Sequence, residues 1–246
     1  MSAERLDKFL AAQLSQSRTE VKEYLKQGRV TVNGTVQKRY ECKVNPEADR
    51  VEVDGSAVCY RKHLYIMMNK PVGVLCATED REGRTVIDLV PEALSRKGLF
   101  PAGRLDKDSE GFVLLTDDGV FCHQIISPKK NLVKTYIVHT DKPAEASHIE
   151  LLESGTLVLD GKPIKKAQVR PLDENNTEFE VKISEGRHRQ IRRMFDCAGL
   201  TVTFLQRIAI GSLFLDSALP QGGCRALSGD EYLILANSIK EPSKPQ

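Results

Sequence analysis

The sequence predicts an α+β protein of two unequal parts. Three observations lead there. The chain has 246 residues, which at about 150 per domain suggests one large domain or two unequal ones. Its β-prone runs are short: Leu64–Met68, Phe112–Leu115, Thr135–His139, Glu178–Ile183 and Thr201–Leu205. Helical-periodic stretches such as Ala144–Glu153 and His188–Ala198 lie between them. Frequent turn signals, at Asp118-Gly119, Asp160-Gly161 and Gly222-Gly223, favour antiparallel sheet over alternating βαβ units.

In chain order, Leu6, Phe9, Leu10 and Leu14 recur at helical spacing and predict a first helix. Ser17-Arg18-Thr19-Glu20 fits a capping box, in which a hydroxyl and a carboxylate satisfy the orphan amides of a helix start. Val21, Tyr24 and Leu25 give that second helix one apolar face, and Gly28 is placed to end it. Val30-Thr31-Val32 is β-prone, and Asn33-Gly34 is a strong hairpin signal. Tyr60-Arg61-Lys62-His63 is polar and reads as a linker. The expected domains are therefore 1–60 and 64–238. A tail over 239–246, with Pro242 and Pro245, is expected to be disordered.

Composition narrows the function. A 40% hydrophobic and 28% charged chain is ordinary for a soluble globular protein. Apolar runs are far shorter than the ~18 residues of a membrane span, and no signal-peptide stretch opens the chain. A cytoplasmic protein is expected, not bound to membrane, with free thiols at its six cysteines. No C-x-x-C or other metal-ligand spacing occurs, so no metal is expected.

The net charge of +2 conceals two basic clusters. Gln16 to Lys43 holds seven basic residues against three acidic, and Gly186 to Arg207 holds five arginines against one Asp196. Two such clusters suggest two separated phosphate contacts. Arg18, Lys22, Lys26 and Arg29 form the first, on or near the second helix. With Arg5-Leu6-Asp7, Ser17-Arg18 and Gly28–Gly34 in this order, the stretch resembles the small alpha-L RNA-binding domain of a ribosomal protein and several RNA-modifying enzymes.

Three later segments can carry chemistry. Gly103-Arg104-Leu105-Asp106-Lys107-Asp108-Ser109-Glu110-Gly111 is a polar loop entering an apolar strand. On composition alone it reads as a turn rich in Asp and Gly, though a carboxylate there could serve as nucleophile or base. Lys134-Thr135-Tyr136 opens a strand, where a lone tyrosine is ordinarily packing. In Glu185-Gly186-Arg187 through Phe195, the stripe Ile191, Met194, Phe195 and Ala198 anchors a helix to a core. Arg192 can then reach inward to a carboxylate while Arg189 and Arg193 stay accessible to phosphates.

Together with Asn69-Lys70-Pro71-Val72-Gly73 and Ser127-Pro128, these segments resemble the RsuA type of RNA pseudouridine synthases from Arg5 to about Leu235. The resemblance implies an alpha-L domain followed by a mostly antiparallel-sheet pseudouridine synthase domain. It implies Asp106 as the catalytic aspartate, Tyr136 against the target base, and Arg192 paired with Asp106. Arg104 would fill the gap of a flipped nucleotide or hold its phosphate, with Arg187, Arg189 and Arg193 as further RNA contacts. Lys70-Pro71 would be a rigid turn beneath the site. Isomerisation involves no redox change or transferred group, so no cofactor is implied.

The substrate implied is ribosomal RNA, alone or in an assembling ribonucleoprotein, with monomer the default state. Arg187-His188-Arg189-Gln190 resembles the large-subunit-directed branch as well as the small-subunit one. Cys76–Asp80, Thr116–Gly119 with His123, and Ser127-Pro128 lean to the small-subunit branch, so 16S rRNA is favoured over 23S. A non-catalytic ribosome-assembly protein would explain both basic clusters, but not Asp106, Tyr136 and Arg192 in family order. A tRNA synthetase sharing the first domain lacks its nucleotide-binding motifs here.

Overall fold

The computed structural model describes residues 3–14, 16–58 and 60–240. Cys59 and residues 241–246 of the expected tail lie outside these. The other five cysteines are free. Two compact units result: one from the N-terminal residues to Leu64 plus Val90–Leu99, the other from Tyr65–Leu89 plus Phe100 onward. Linear boundaries at 60 and 64 place Val90–Leu99 in the second unit, and the structure corrects this. A segment that returns to the first unit leaves no composition shift to mark it.

In the first unit, β1 (Glu4–Arg5) leads into α1 (Leu6–Leu14) and α2 (Arg18–Lys26). Five strands follow: β2 (Val30–Val32), β3 (Thr35–Val36), β5 (Val51–Val53) and β6 (Ser56–Ala57) form a sheet in the order β3-β2-β5-β6, and β4 (Lys43–Val44) pairs with β1. The expected apolar stripe closes the core, where Leu6, Phe9, Leu10, Val21, Leu25, Val30, Val44 and Val51 are buried together. The capping box forms, Glu20 N donating to Ser17 Oγ at 3.2 Å and Ser17 N to Glu20 Oε2 at 2.8 Å. Asn33 and Gly34 both take left-handed φ, 51° and 79°, as a two-residue hairpin between β2 and β3 requires.

Arg5 grips the start of α1. Its Nε and Nη2 donate to Asp7 Oδ1 and Oδ2, both at 3.0 Å, and the Asp7 side chain is 1% exposed. The hydrogen bonds from Arg5 hold the Asp7 carboxyl below its ordinary value, outweighing the upward push of burial.

The second unit is built on a nine-stranded sheet. Its strands are β7 (Tyr65–Lys70), β8 (Phe100–Pro101), β9 (Glu110–Thr116), β10 (Lys134–Thr140), and, after the small β11–β12 hairpin (Val158–Leu159, Lys162–Pro163), β13 (Gln168–Pro171), β14 (Glu178–Ile183), β15 (Val202–Ile210), β16 (Leu213–Phe214) and β17 (Cys224–Ala226). The order is β13-β14-β10-β15-β9-β7-β17, with β16 on β15 and β8 on β9. Every pair is antiparallel except β9 with β15. All of β9 is buried, which explains its unbroken apolar run.

Helices α3 (Gly119–Ile126), α4 (Ala146–Glu153), α5 (Gln190–Cys197) and α6 (Gly229–Lys240) complete this unit. Asp118-Gly119 is not a hairpin turn but the start of α3, where Asp118 Oδ1 accepts from the amides of Val120 and Phe121 at 3.0 Å. α3 and α6 bury Phe121, Cys122, Ile125, Leu235 and Ile239 with Phe112 and Leu114. Ile239 is 2% exposed, so the helix runs into the segment expected as tail because its last turn still covers core. No helix among the described residues is long and apolar enough to cross a membrane.

At the parallel junction the backbones of Gly111 and Arg207 stand side by side. Gly111 has φ 101°, and a Cβ there would lie 2.4 Å from the Arg207 carbonyl oxygen and 2.9 Å from its nitrogen. Gly111→Ala is expected to cost about 3 kcal/mol or more by strain and overlap. A urea melt of the variant checks this, and an unchanged midpoint would refute it. Asp7→Asn is expected to destabilise the protein by about 1–3 kcal/mol near pH 7. Because the folded Asp7 value is depressed, this advantage of the parent holds above about pH 4 and fades as pH falls through the folded value. Denaturation curves of both proteins from pH 3 to 7 read the gap; a gap that widens in acid contradicts the assignment.

Candidate active site

A cavity of about 380 Å³ opens in the second unit, large enough for one nucleoside. Asp106, Lys134, Tyr136, Glu185, Arg189 and Arg207 are among its lining residues. The sequence places Asp106 and Tyr136 far apart in the chain, and the structure brings them to one cavity.

The loop from Gly103 to Ser109 is held through its carbonyls. Cys76 Sγ approaches Gly103 O at 3.4 Å, Arg207 Nη1 lies 3.5 Å from Arg104 O, and Gly73 N donates to Lys107 O at 2.8 Å. Ser109 N closes a turn onto Asp106 O at 3.1 Å. Lys70, at the end of β7, is 0% exposed. Its ammonium donates to Pro71 O and Asp106 O at 3.1 Å and to Ser109 O at 2.6 Å. Burial pushes the ammonium below its ordinary value, countered by the charges of Cys76, Asp108, Asp106 and Glu110. Expected only as part of a rigid turn, Lys70 instead fastens both ends of the Asp106 turn. No described residue donates a hydrogen bond to the Asp106 carboxylate, so its oxygens are uncommitted.

Tyr136 is 7% exposed on β10. The register against β15 shifts between Thr135 and Tyr136, where Thr135 meets Ala209 and Tyr136 meets Arg207. The extra residue on β15, Ile208, makes a bulge, a device that re-aims side chains beside it.

Arg192 does not pair with Asp106. Its Nη2 donates to Asp108 O at 2.8 Å, its Nε lies 3.4 Å from Asp108 Oδ2, and its Nη1 donates to Val202 O at 2.8 Å. The reason is the turn: Asp106 begins it and faces the cavity, whereas Asp108, two residues on, faces α5. Burial alone would raise the Asp108 carboxyl, but the Arg189 hydrogen bond and the charges of Arg192 and Arg189 hold it below its ordinary value.

The other expected RNA contacts divide. Arg189, at φ 49° before α5, is bidentate on Asp108 at 3.1 and 2.8 Å, and Arg193 is bidentate on Asp160 at 3.0 and 2.8 Å. Neither is the unengaged cation the helix pattern suggests. Arg187 spends its guanidinium on the carbonyls of Leu159, Lys162 and Pro163. Arg104 is exposed beside Asp106.

In the first unit Arg18 is exposed and Lys22 lies 4.6 Å from the Tyr40 ring centroid. Lys26 pairs with Glu23 at 2.7 Å, and Arg29 pairs with Asp54 while lying 4.2 Å over Tyr24. Among the described residues no group of three or more His, Cys, Asp or Glu could hold a metal.

Sequence reasoning missed Asp108, Lys134, Glu185 and Arg207. Asp108 carried a signal, a second carboxylate in the same loop as Asp106 with an arginine-rich helix to meet it. Glu185 is buried with Oε1 accepting from Lys165 N at 3.0 Å and Gln190 Nε2 at 2.9 Å.

Lys70→Met would leave three carbonyls without their donor. A loss of about 2–4 kcal/mol of stability is expected, since each unsatisfied buried acceptor costs about 1–3 kcal/mol and the ammonium's own burial cost is relieved. The turn should loosen as well, so turnover should fall more than RNA affinity. Hydrogen exchange of the Ser109 amide measures this directly, and unchanged protection would contradict it.

Comparison with known proteins places this geometry. The model of the RNA pseudouridylate synthase family matches residues 64–196, and that of the S4 domain matches residues 4–51. The chain is 42% identical over 233 residues to an uncharacterized RNA pseudouridine synthase of Bacillus subtilis (strain 168), covering 94% of this chain and 98% of that one. It is 38% identical over 228 residues to the ribosomal small subunit pseudouridine synthase A of Escherichia coli (strain K12), covering 92% and 97%. A crystal structure of a pseudouridylate synthase superposes with TM-score 0.66 at 34% identity, covering 94% of this chain and 99% of that one.

Proposed function

The chain belongs to the RNA pseudouridylate synthase family, with an S4 domain ahead of the synthase domain, and from that premise we propose that it converts one uridine of 16S ribosomal RNA to pseudouridine in the cytoplasm, as a monomer, with Asp106 as the acting carboxylate and no cofactor. The small-subunit reading draws on the relatives named for that subunit.

One observation carries the assignment of chemistry: an aspartate with uncommitted oxygens lines the same cavity as a buried tyrosine ring. The reaction breaks the N1–C1′ bond, turns the uracil and rejoins it through C5. An ionised Asp106 suits removal of a sugar proton and nucleophilic attack alike. The Tyr136 ring supplies a surface on which the freed base is held while it turns. Such a cavity admits the base only after it has left its stack, and the exposed Arg104 is placed to occupy the gap or hold the flipped nucleotide's phosphate. Arg18 and Lys22 offer the first unit's phosphate contacts, with Lys26, Arg29, Arg187, Arg189 and Arg193 joining where RNA phosphates displace their present partners.

Asp106→Asn is expected to retain fold and RNA affinity while single-turnover isomerisation falls by about 10²–10⁴-fold or more. An amide neither attacks carbon nor removes its proton. Activity of the variant near the parent rate would refute the role. Pseudouridine mapping in 16S and 23S rRNA from cells with and without the gene tests the substrate, and a site lost only from 23S would overturn the small-subunit assignment.

A further inference from the structure

Among the described residues, two cations of the cavity have no carboxylate paired with them. Lys134 and Tyr136 are two apart on β10 and share a face of the sheet, and Arg207 stands opposite Tyr136 on β15. Arg207 is 4% exposed. Its Nε donates to Phe112 O at 2.7 Å, whereas its Nη2 is buried without a partner. The Lys134 side chain makes no hydrogen bond or ion pair with any described residue. Burial, with the charges of Arg207 and Lys165, pushes the Lys134 ammonium down to about 8.

The cavity's acids do not compensate. Glu185 is occupied by Lys165 N and Gln190, and lies 3.6 Å from Arg187. Asp106 forms no ion pair with Lys134 or Arg207. The contrast with the neighbouring arginines is sharp: Arg189, Arg192 and Arg193 each meet an aspartate. Arg207 is buried and Lys134 half-buried; cations drawn out of water and left without an opposite charge are expensive, and a protein retains such groups where function uses them. The site is therefore prepared for an anion.

We propose that Lys134 and Arg207 hold the negative charge that the uracil carries after it leaves C1′. The inference rests on the reading of the Asp106–Tyr136 cavity as the site of isomerisation. When the C1′–N1 bond breaks, its electron pair departs with N1, and the charge spreads over N1, O2 and O4. The base then supplies an electron pair from C5 to form the C5–C1′ bond. The C5 hydrogen leaves as a proton and N1 takes one up, so the product is an isomer of the substrate and no other reagent is consumed. Between the two steps the cavity holds an anion, and cations fixed in advance stabilise it without reorganising. The position of these groups beside the buried Tyr136 favours the base itself over a backbone phosphate, for which the exposed Arg104 is better placed.

The test compares Lys134→Met and Lys134→Arg with the parent on an RNA fragment bearing the mapped target as uridine or as 5-fluorouridine. Fluorine at C5 makes the departing base a more stable anion, less in need of cations. Single-turnover loss of the N-glycoside, RNA affinity across salt and melting temperature are read together. Lys134→Met should slow the uridine substrate by roughly 10²-fold and the fluorinated one markedly less. RNA affinity should stay within about twofold and the melting temperature should rise, because an uncompensated charge has been removed. Lys134→Arg should recover most of the rate. Equal slowing of both substrates, an unchanged rate, a lowered melting temperature or a flattened salt dependence of binding would each overturn the inference, the last pointing to a phosphate. An active Asp106→Asn would defeat the underlying site reading instead, whereas an inactive Asp106→Asn beside an unslowed Lys134→Met defeats this inference alone.

Discussion

A buried ammonium sets the geometry on which the candidate site depends. Lys70 lies at the end of β7, opposite Gly111 of β9, and Gly111 in turn stands beside Arg207 of β15. Across these three strands a lysine, a glycine and an arginine form one line under the Asp106 loop. The glycine has no Cβ, so the Arg207 backbone can approach it. The lysine sends three hydrogen bonds into carbonyls, two of them belonging to the ends of the Asp106–Ser109 turn. A buried ammonium is costly, and three carbonyl acceptors, with the nearby charges of Asp108, Asp106 and Glu110, offset that cost. The result is a loop secured through its backbone while the carboxylate it presents is left uncommitted.

Charge is sorted by the same fold. Arginines at the surface of α5 are spent inside the molecule, on Asp108 and Asp160. Asp108 thereby ties α5 to the loop and engages Arg192 and Arg189, neither of which hydrogen-bonds Asp106. The cavity retains Lys134 and Arg207 without such partners. Ion pairs thus stand around the cavity, while the two cations that line it beside Tyr136 have no such pair among the described residues. The first unit follows a milder version of the rule, with Lys26 and Arg29 paired and Arg18 exposed.

What the sequence determined by itself is local. The capping box at Ser17–Glu20, the Asn33-Gly34 hairpin, the stripe of α1 and the principal strands were legible because they depend on neighbours within four or so residues. Asp106 and Tyr136 stood out in the sequence through motifs in family order, and both line the cavity. Helices α3 and α6 were not, since one opens on an Asp-Gly pair that also spells a turn and the other opens on Gly229.

The tertiary structure alone decided which aspartate meets Arg192, which cations converge with Tyr136 and where Val90–Leu99 belongs. Each is a contact between residues far apart in the chain. Asp106 and Asp108 differ by two positions in one turn, and their directions depend on how Lys70, Gly73 and Arg192 hold its carbonyls. Lys134 and Arg207 line one cavity because β10 pairs with β15 in a register shifted by a bulge. A one-residue change of register would send every following side chain to the other face, and no pattern read along a single strand specifies which register its partner takes.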